Sequence, residues 1–348
     1  MGDSTLKGRS GGRRAALTLA CALSFSAACH KTTTRPADAE ARSGSSSGPS
    51  ASLTSLTLAL NWLPEPEFGG FYAAREDGSY KRAGLDVHVQ GGGAGVPVVQ
   101  MVATARADFG TVTADELIMA RARGADVVAV FATFQTAPHG IMVHASRGLK
   151  RLEDAFQSGT LALEPGLPYV AYLRQKFPWG GAKIVAYDGG VAHFLSDPMF
   201  GQQCYVTSEP IAARQKGGDP QVFLIADAGF NPYTTIVITR RELLQRNPQM
   251  VRAFVKATAA GWRGYLANPK LINELLGSLN GAMDAATLTA AAEAQAPLIE
   301  TADTRKLGLG TMLRSRWQTL VDQLVKLKII DHPIDVDTLF VTPDAPAP

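Results

Sequence analysis

A regular alternation of apolar strand patterns and helical patterns between residues 56 and 240 is the feature that most constrains this chain. Apolar runs such as LDVHVQ (85–90) and DVVAVFATF (126–134) alternate with longer segments of helical periodicity. Such alternation predicts an α/β fold with a mainly parallel sheet and helices on both faces. Beyond residue 240 the pattern is largely helical, and it places Trp262 and Trp317 on packed helix faces.

The alternation occurs as two sets, which predicts two lobes. We expect residues 53–143 and 234–348 to form lobe 1 and residues 144–233 to form lobe 2, inserted into it and joined by two crossing segments. About 295 residues suffice for two cores of this kind. The cleft between such lobes faces the carboxyl ends of strands, where α/β folds bind ligands.

The N-terminal region predicts export. Residues 1–28 have a basic start, a short apolar run and small residues at the end, which is typical of a signal peptide. Residues 29–52 have no aromatic residue and cannot form a core, so they predict a disordered tether. Ser26-Ala27-Ala28-Cys29 resembles a bacterial lipobox, which predicts lipidation of Cys29 and a periplasmic protein anchored to a membrane, or free in the periplasm without the lipid.

Charge and cysteine content exclude several classes of function. The chain has 34 basic and 31 acidic residues, but residues 1–28 hold four bases and one acid, which leaves 30 of each. This balance gives no electrostatic reason to expect nucleic acid as a partner. Beyond Cys29 only Cys204 remains, and the histidines lack zinc-binding spacing, so we expect neither a disulfide nor a metal site.

The stretch NWLPEPEFGGFY (61–72) is the strongest candidate for a ligand site. It follows the first strand pattern and precedes a helix pattern, so it should lie at the cleft. Aromatic rings can stack on a flat ligand, carboxylates can accept ligand N–H groups, and Gly69-Gly70 permits a close approach of the backbone. The predicted ligand-binding residues here are Asn61, Trp62, Glu65, Glu67, Phe68 and Tyr72. A hydrophobic staple with capping acids is the alternative.

The same stretch and its continuation to residue 95 resemble the start of the periplasmic binding proteins of ABC importers. The group includes carriers of nitrate, alkylsulfonates, riboflavin and thiamine pyrimidines, and the yeast-type thiamine pyrimidine synthases. The resemblance continues through residues 98–143 and through QQCYVTSEPIAARQKG (202–217). It implies a type II two-lobed fold, a small-molecule ligand in the cleft, and a permease and an ATPase as partners of a monomer.

Other strand ends provide further candidates. By the resemblance, the corner at Asp115 lines the cleft and Glu209 faces the ligand, although either residue can be an ordinary acid at a helix start. Further candidate ligand-binding residues are Gln135, His139, Tyr169, Gln203, Tyr205 and Tyr233. A structural role for His139 is the alternative there.

The aromatic candidates favour a flat heteroaromatic ligand, such as a pyrimidine or a flavin, over nitrate. We expect no catalysis and no cofactor. An enzyme similar to the thiamine pyrimidine synthases is one alternative, but no Lys or His lies between Asn61 and Tyr80, and a Cys-rich motif is missing. A binding or sensor protein for nitrate or sulfonate without a transporter is another.

Overall fold

The first of two sheets organises the N-terminal part of the chain. The structure is a computed structural model, and it describes residues 52–342. Five strands pair in the order β2-β1-β3-β10-β4. Their bounds are β1 (Thr54–Ala59), β2 (Leu85–Gln90), β3 (Phe109–Val112), β4 (Val127–Phe134) and β10 (Thr234–Arg240).

The second sheet has the same arrangement, with strand order β7-β6-β8-β5-β9. Its strands are β5 (His139–His144), β6 (Thr160–Leu163), β7 (Lys183–Ala186), β8 (Phe200–Tyr205) and β9 (Pro220–Leu224). Two mixed sheets with helices confirm the predicted two-lobed α/β fold.

Neither sheet is as parallel as the sequence pattern predicts. Strand β1 pairs in parallel with β2 and β3, but β10 is antiparallel to both β3 and β4. In the second sheet β5 is likewise antiparallel to β8 and β9. The antiparallel strands β5 and β10 each follow directly from a strand of the other sheet, so each runs in the opposite direction to its neighbours.

The first lobe boundary predicted after residue 143 is wrong. Strand β5 already belongs to the second sheet, so the first crossing segment is 135–138. The second crossing segment connects β9 to β10 through residues 225–233. The two segments are joined by a hydrogen bond of 2.8 Å from the Ala137 N–H to the Asn231 side-chain oxygen.

Thirteen α-helices are present among residues 52–342. Those between the strands are α1 (Gly69–Glu76), α2 (Ser79–Arg82), α3 (Val98–Ala103), α4 (Ala114–Ala122), α5 (Pro168–Lys176), α6 (Ala192–Ser196) and α7 (Glu209–Gln215). The C-terminal ones are α8 (Arg241–Arg246), α9 (Pro248–Ala267), α10 (Lys270–Leu279), α11 (Ala285–Ile299), α12 (Ala302–Leu307) and α13 (Arg314–Lys326). Short 3₁₀ helices occupy Pro66–Phe68, Ala145–Arg147, Leu152–Phe156 and Val336–Thr338.

Helices α1 and α9 pack unusually closely. A Cβ on Gly69 would lie 2.3 Å from the Tyr265 ring, and a Cβ on Gly70 would lie 2.1 Å from the Trp262 ring. The backbone approach that we predicted at Gly69-Gly70 is therefore made by a helix of the protein and not by a ligand. Trp262 is fully buried at this contact, and Trp317 is fully buried on α13, as the helical spacing predicts.

The two lobes also meet through helices α7 and α11. The Gln215 side chain donates to Thr287 Oγ1 at 2.8 Å and accepts from it at 3.0 Å. Asp284 caps α11 and receives a third hydrogen bond from Gln215 at 3.4 Å. We call these three residues the interlobe latch. No helix within residues 52–342 has both the length and the apolarity to span a membrane.

Candidate functional site

Strand direction brings the predicted site residues to one edge of each sheet. In lobe 1, β1 leads into Asn61 and Trp62, and β3 leads into the corner with Asp115. In lobe 2, β8 leads into Glu209, and β5 begins at His139 on the same edge because it runs in the opposite direction. Carboxyl ends of parallel strands share an edge, so this topology explains why residues distant in sequence converge.

Three carboxyl groups from the two lobes converge between the sheets. Glu65 precedes the 3₁₀ helix Pro66–Phe68, Glu67 lies within it, and Glu209 begins α7. Burial and then repulsion by Glu209 raise the pKa of Glu65 to about 7. Burial, followed by repulsion from Glu65 and Glu209, raises the pKa of Glu67 well above its usual range. We call Glu65, Glu67 and Glu209 the acid cluster.

Two donors stand beside Glu65. Hydrogen bonding from Trp62 and Asn280 opposes burial and lowers the pKa of Glu65. Trp62 is 41% exposed, so its ring presents an open surface next to the acid cluster. Asn280 is only 8% exposed, so its contact with Glu65 is buried.

Glu209 is held by its own lobe. The Tyr187 hydroxyl donates to Oε1 at 2.5 Å, and the Tyr205 backbone N–H donates to Oε2 at 2.7 Å. These bonds fix the carboxylate and leave lone pairs for a further donor. Tyr187 was not among the site residues predicted from the sequence. It directly follows β7 at the carboxyl edge of the sheet, and that position could have indicated a role in the site.

A cavity of about 110 Å³ opens in lobe 2 beside Glu209. Its lining comprises His139, Gly140, Glu164, Leu167, Tyr169, Gln203, Cys204, Tyr205 and Glu209. The His139 ring lies 4.8 Å from the Tyr205 ring, edge to face, and 6.0 Å from the Tyr169 ring. Gln203 accepts hydrogen bonds from the Tyr169 hydroxyl and from the Glu164 N–H, which fixes one wall of the cavity.

A second cavity of about 70 Å³ lies on the other side of His139, between the lobes. Its lining comprises Thr113, Asp115, Ala137, His139, Leu167, Pro168, Tyr169, Ile225, Phe230 and Pro232. Burial lowers the pKa of His139 to about 4, so the ring is neutral at pH 7. Burial raises the pKa of Asp115, whose Oδ1 atom has no partner among the described residues.

The character of the lining limits what the cleft can bind. Neither cavity, as residues 52–342 form it, is lined by a lysine or an arginine. Within the same residues no group of His, Cys, Asp and Glu has the arrangement of a metal site. The cleft therefore combines aromatic rings with hydrogen-bond acceptors.

Three predicted aromatic contacts are wrong in this structure. Phe68 and Tyr72 are fully buried in the core between the first sheet and α9, so neither ring faces the cleft. Tyr233 is buried as well, and its hydroxyl accepts from the Leu313 N–H at 2.8 Å while Arg316 covers its ring at 3.8 Å. These rings were predicted from residue type alone, and burial by C-terminal helices could not be read from the local sequence.

Two polar candidates have structural roles. Asn61 forms a reciprocal pair with Thr111, which donates to Oδ1 at 2.7 Å and accepts from the Asn61 N–H at 3.0 Å. Gln135 is buried, and its amide nitrogen donates to the carbonyl oxygen of Thr311 at 3.0 Å. Asn61 ties the end of β1 to β3, and Gln135 ties the first crossing segment to lobe 1. The structure brings together Trp62, Glu65, Glu67 and Glu209, and separately Asp115, His139, Tyr169, Gln203 and Tyr205 around the two cavities.

Two mixed α/β sheets with a common cleft define the fold of the periplasmic binding proteins. The aliphatic sulphonate binding protein SsuA from Escherichia coli shares this fold with a TM-score of 0.66 and 14% identity, over 84% of this chain and 94% of SsuA. The NMT1/THI5-like family model matches residues 65–161 and 185–272, which is more than half of the chain. The chain belongs to this family.

Two curated relatives have different activities. The riboflavin-binding protein RibY of Chloroflexus aurantiacus is 25% identical over 309 residues, which cover 84% of this chain and 87% of RibY. The 4-amino-5-hydroxymethyl-2-methylpyrimidine phosphate synthase THI11 of Saccharomyces cerevisiae is 22% identical over 240 residues, which cover 63% of this chain and 69% of THI11. This chain is therefore similar in sequence to both a binding protein and an enzyme.

Proposed function

We propose that this protein is the extracytoplasmic solute-binding component of an ABC importer and that it takes a small heteroaromatic ligand. The observation that carries the proposal is the cleft itself: Trp62, Glu65 and Glu67 of lobe 1 face Glu209 of lobe 2, beside cavities lined by aromatic rings. Two-lobed proteins of this kind bind a ligand by closing around it. RibY, which is named for riboflavin, supports an aromatic ligand.

The chemistry of the cleft argues against an anion. Nitrate and sulfonates require N–H donors and cations, whereas the cavity walls carry Glu164, Glu209 and Asp115 without a basic residue in the described part of the chain. Neutral His139 adds no positive charge at pH 7. Carboxylates accept the ring N–H and amino groups of pyrimidines and flavins. The sulphonate ligand of SsuA therefore does not indicate the ligand of this protein.

Mass spectrometry of the full-length protein after native purification from a bacterial host tests this function. We expect a co-purifying heteroaromatic compound, and calorimetry with riboflavin and with 4-amino-5-hydroxymethyl-2-methylpyrimidine should find binding by at least one. Small-angle scattering should show a decrease in the radius of gyration on binding. A protein that carries no ligand, binds neither compound and does not contract would contradict the proposal.

Anchoring and partners are part of the same proposal. Cys29 and the rest of the N-terminal region lie outside the described residues, so lipidation rests on the sequence. Cys29→Ser should move the protein from the membrane pellet to the soluble periplasm, and equal partitioning of the two forms would exclude the anchor while leaving export intact. Pull-down with a permease encoded beside this gene would identify the transporter partner.

We assign no residue between 52 and 342 to catalysis. Cys204, the cysteine within the described residues, is buried, and burial raises the pKa of its thiol well above the usual range. A protonated buried thiol is a poor nucleophile and a poor iron ligand. We therefore assign Cys204 to the packing of lobe 2.

A further inference from the structure

The second crossing segment passes from one lobe to the other at a single peptide bond. The Ala228 carbonyl oxygen accepts hydrogen bonds from the Tyr172 hydroxyl at 2.8 Å and from Lys176 Nζ at 2.6 Å, and both donors are on α5 of lobe 2. The next carbonyl oxygen, that of Gly229, accepts from Gln323 Nε2 at 2.8 Å, on α13 of lobe 1. Successive peptide groups are therefore held by different lobes.

The rest of this segment follows the same division. Before that bond, the Ile225 N–H donates to the His139 carbonyl oxygen of lobe 2 at 3.0 Å. After it, the Asn231 carbonyl oxygen accepts from Arg316 Nη2 of α13 at 2.9 Å. Because the peptide bond itself is planar, a rotation of one lobe against the other falls on the two single bonds that flank the 228–229 peptide.

The first crossing segment changes lobes within three residues. The Gln135 N–H donates to the Leu298 carbonyl oxygen on α11 of lobe 1 at 2.9 Å. The Pro138 carbonyl oxygen accepts from the Val206 N–H at the end of β8, in lobe 2, at 3.0 Å. Ala137 lies between these anchors. Proline fixes its own φ, so the rotation available here is about ψ of Ala137.

We infer that the lobes turn about an axis through two peptide junctions, 137–138 and 228–229. The crossing segments lie side by side, because the Ala137 N–H donates to the Asn231 side chain at 2.8 Å. Hinged proteins concentrate the change of φ and ψ in a few such residues. The inference goes beyond the proposed function, since it concerns the motion of the lobes whichever ligand they bind.

Helix α5 connects this axis to the two cavities. Tyr169 lines both cavities from the first turn of the helix, while Tyr172 and Lys176, three and seven positions later, hold the Ala228 carbonyl oxygen. Residues at these spacings share one face of a helix. A ligand group that displaces Tyr169 therefore acts directly on the helix that holds the axis.

Gly229 ties the second junction to the present arrangement of the lobes. Its φ is +98°, where residues with a side chain are strained, and a Cβ would lie 2.8 Å from the Tyr172 hydroxyl oxygen. Gly229→Ala should therefore disfavour this arrangement about five-fold or more relative to arrangements in which φ is negative.

Small-angle scattering of the ligand-free full-length protein tests the axis. Gly229→Ala should have a larger radius of gyration than the wild type. Gly124→Ala is the matched control, because Gly124 has a φ of +91° between α4 and β4 of lobe 1 and its Cβ would meet open space. It should lose stability through the same backbone strain without a change of radius.

A second variant adds no atom that could prevent folding. Ala137→Gly gives the first junction more freedom, so it should also increase the radius. Crystal structures of the expanded variants should show the rotation at the two junctions, with the bonds from α5 to Ala228 and from α13 to Gly229 retained.

Four results would overturn the inference: an unchanged radius in Ala137→Gly, an unchanged radius in a folded Gly229→Ala, an equal expansion in Gly124→Ala, or a rotation spread over other residues. Each is measured without a ligand. The proposed function, which is tested by binding, can therefore fail or succeed separately.

Discussion

At the scale of single residues, two aromatic side chains six positions apart have opposite roles. Trp62 is 41% exposed beside the acid cluster, whereas Phe68 is fully buried under α9. Both follow the same strand, β1. Their difference comes from the direction in which the chain turns at Pro66–Phe68, which points Phe68 into the core.

The contrast between these rings predicts two distinct mutant phenotypes. Trp62→Ala should remove a stacking surface worth about 1–3 kcal/mol, a loss of roughly 5- to 150-fold in affinity, with little change in stability. Phe68→Ala should cost about 3–5 kcal/mol of unfolding free energy because it leaves a cavity in the core. Urea unfolding and calorimetry on both variants check this. A Trp62→Ala variant with a reduced unfolding free energy and a normal affinity would indicate a structural role for Trp62.

The raised pKa of Glu65 predicts a pH dependence of stability. The native carboxyl group holds its proton up to about pH 7, whereas in the unfolded chain it loses it near its ordinary value of 4.5. The native state binds more protons at Glu65 in this interval, so the contribution of Glu65 to the unfolding free energy should fall as pH rises towards 7 and then level off, while His139 contributes with the opposite sign. Glu65→Gln should flatten this decline in urea unfolding between pH 4.5 and 8. A decline as steep as in a Glu242→Gln control, which removes an exposed charge on α8, would contradict the assignment.

At the scale of elements, the packing of α1 on α9 positions the segment 61–68, which lies between β1 and α1 beside the cleft. Gly70→Ala would place a Cβ 2.1 Å from the Trp262 ring, and overpacking of this kind costs about 1–3 kcal/mol. Gly281→Ala is the matched control because its Cβ meets open space. We expect a lower thermal midpoint for Gly70→Ala alone. Equal midpoints would show that α1 can move away from α9 at little cost.

Element positions could be predicted from the sequence to a large extent, because strand and helix periodicity is a local property. The interpretations of 85–90 and 234–240 as strands match β2 and β10. Strand direction depends on pairing across the whole chain, and the local pattern therefore did not reveal that β10 is antiparallel. The acids of the site were found because they occupy strand ends, while the burial of Tyr72 and Tyr233 depends on distant helices.

At the scale of the whole molecule, the interlobe latch joins α7 of lobe 2 to α11 of lobe 1, and we predict that it limits how readily the lobes separate. Gln215→Ala removes hydrogen bonds to Thr287 and Asp284, and such bonds contribute about 0.5–1.5 kcal/mol each. The ligand-free protein should shift towards open forms, with a larger radius of gyration in small-angle scattering and weaker ligand binding. Gln318→Ala is the control, since within residues 52–342 the Gln318 side chain bonds only to Asp322 on its own helix. An unchanged radius for Gln215→Ala would show that other contacts hold the lobes together.

The position of β10 has a consequence for the order in which the molecule is built. It lies between β3 and β4, so the first sheet stays divided until residues 234–240 have been synthesised, although β1 to β4 are complete by residue 134. The second sheet needs nothing beyond residue 224. Lobe 2 can therefore fold first. Until β10 is synthesised, the edges of β3 and β4 that it will occupy remain unpaired, and unpaired strand edges can pair with other chains. Residues 54–134 should be the part of the described chain that depends most on chaperones before folding is complete.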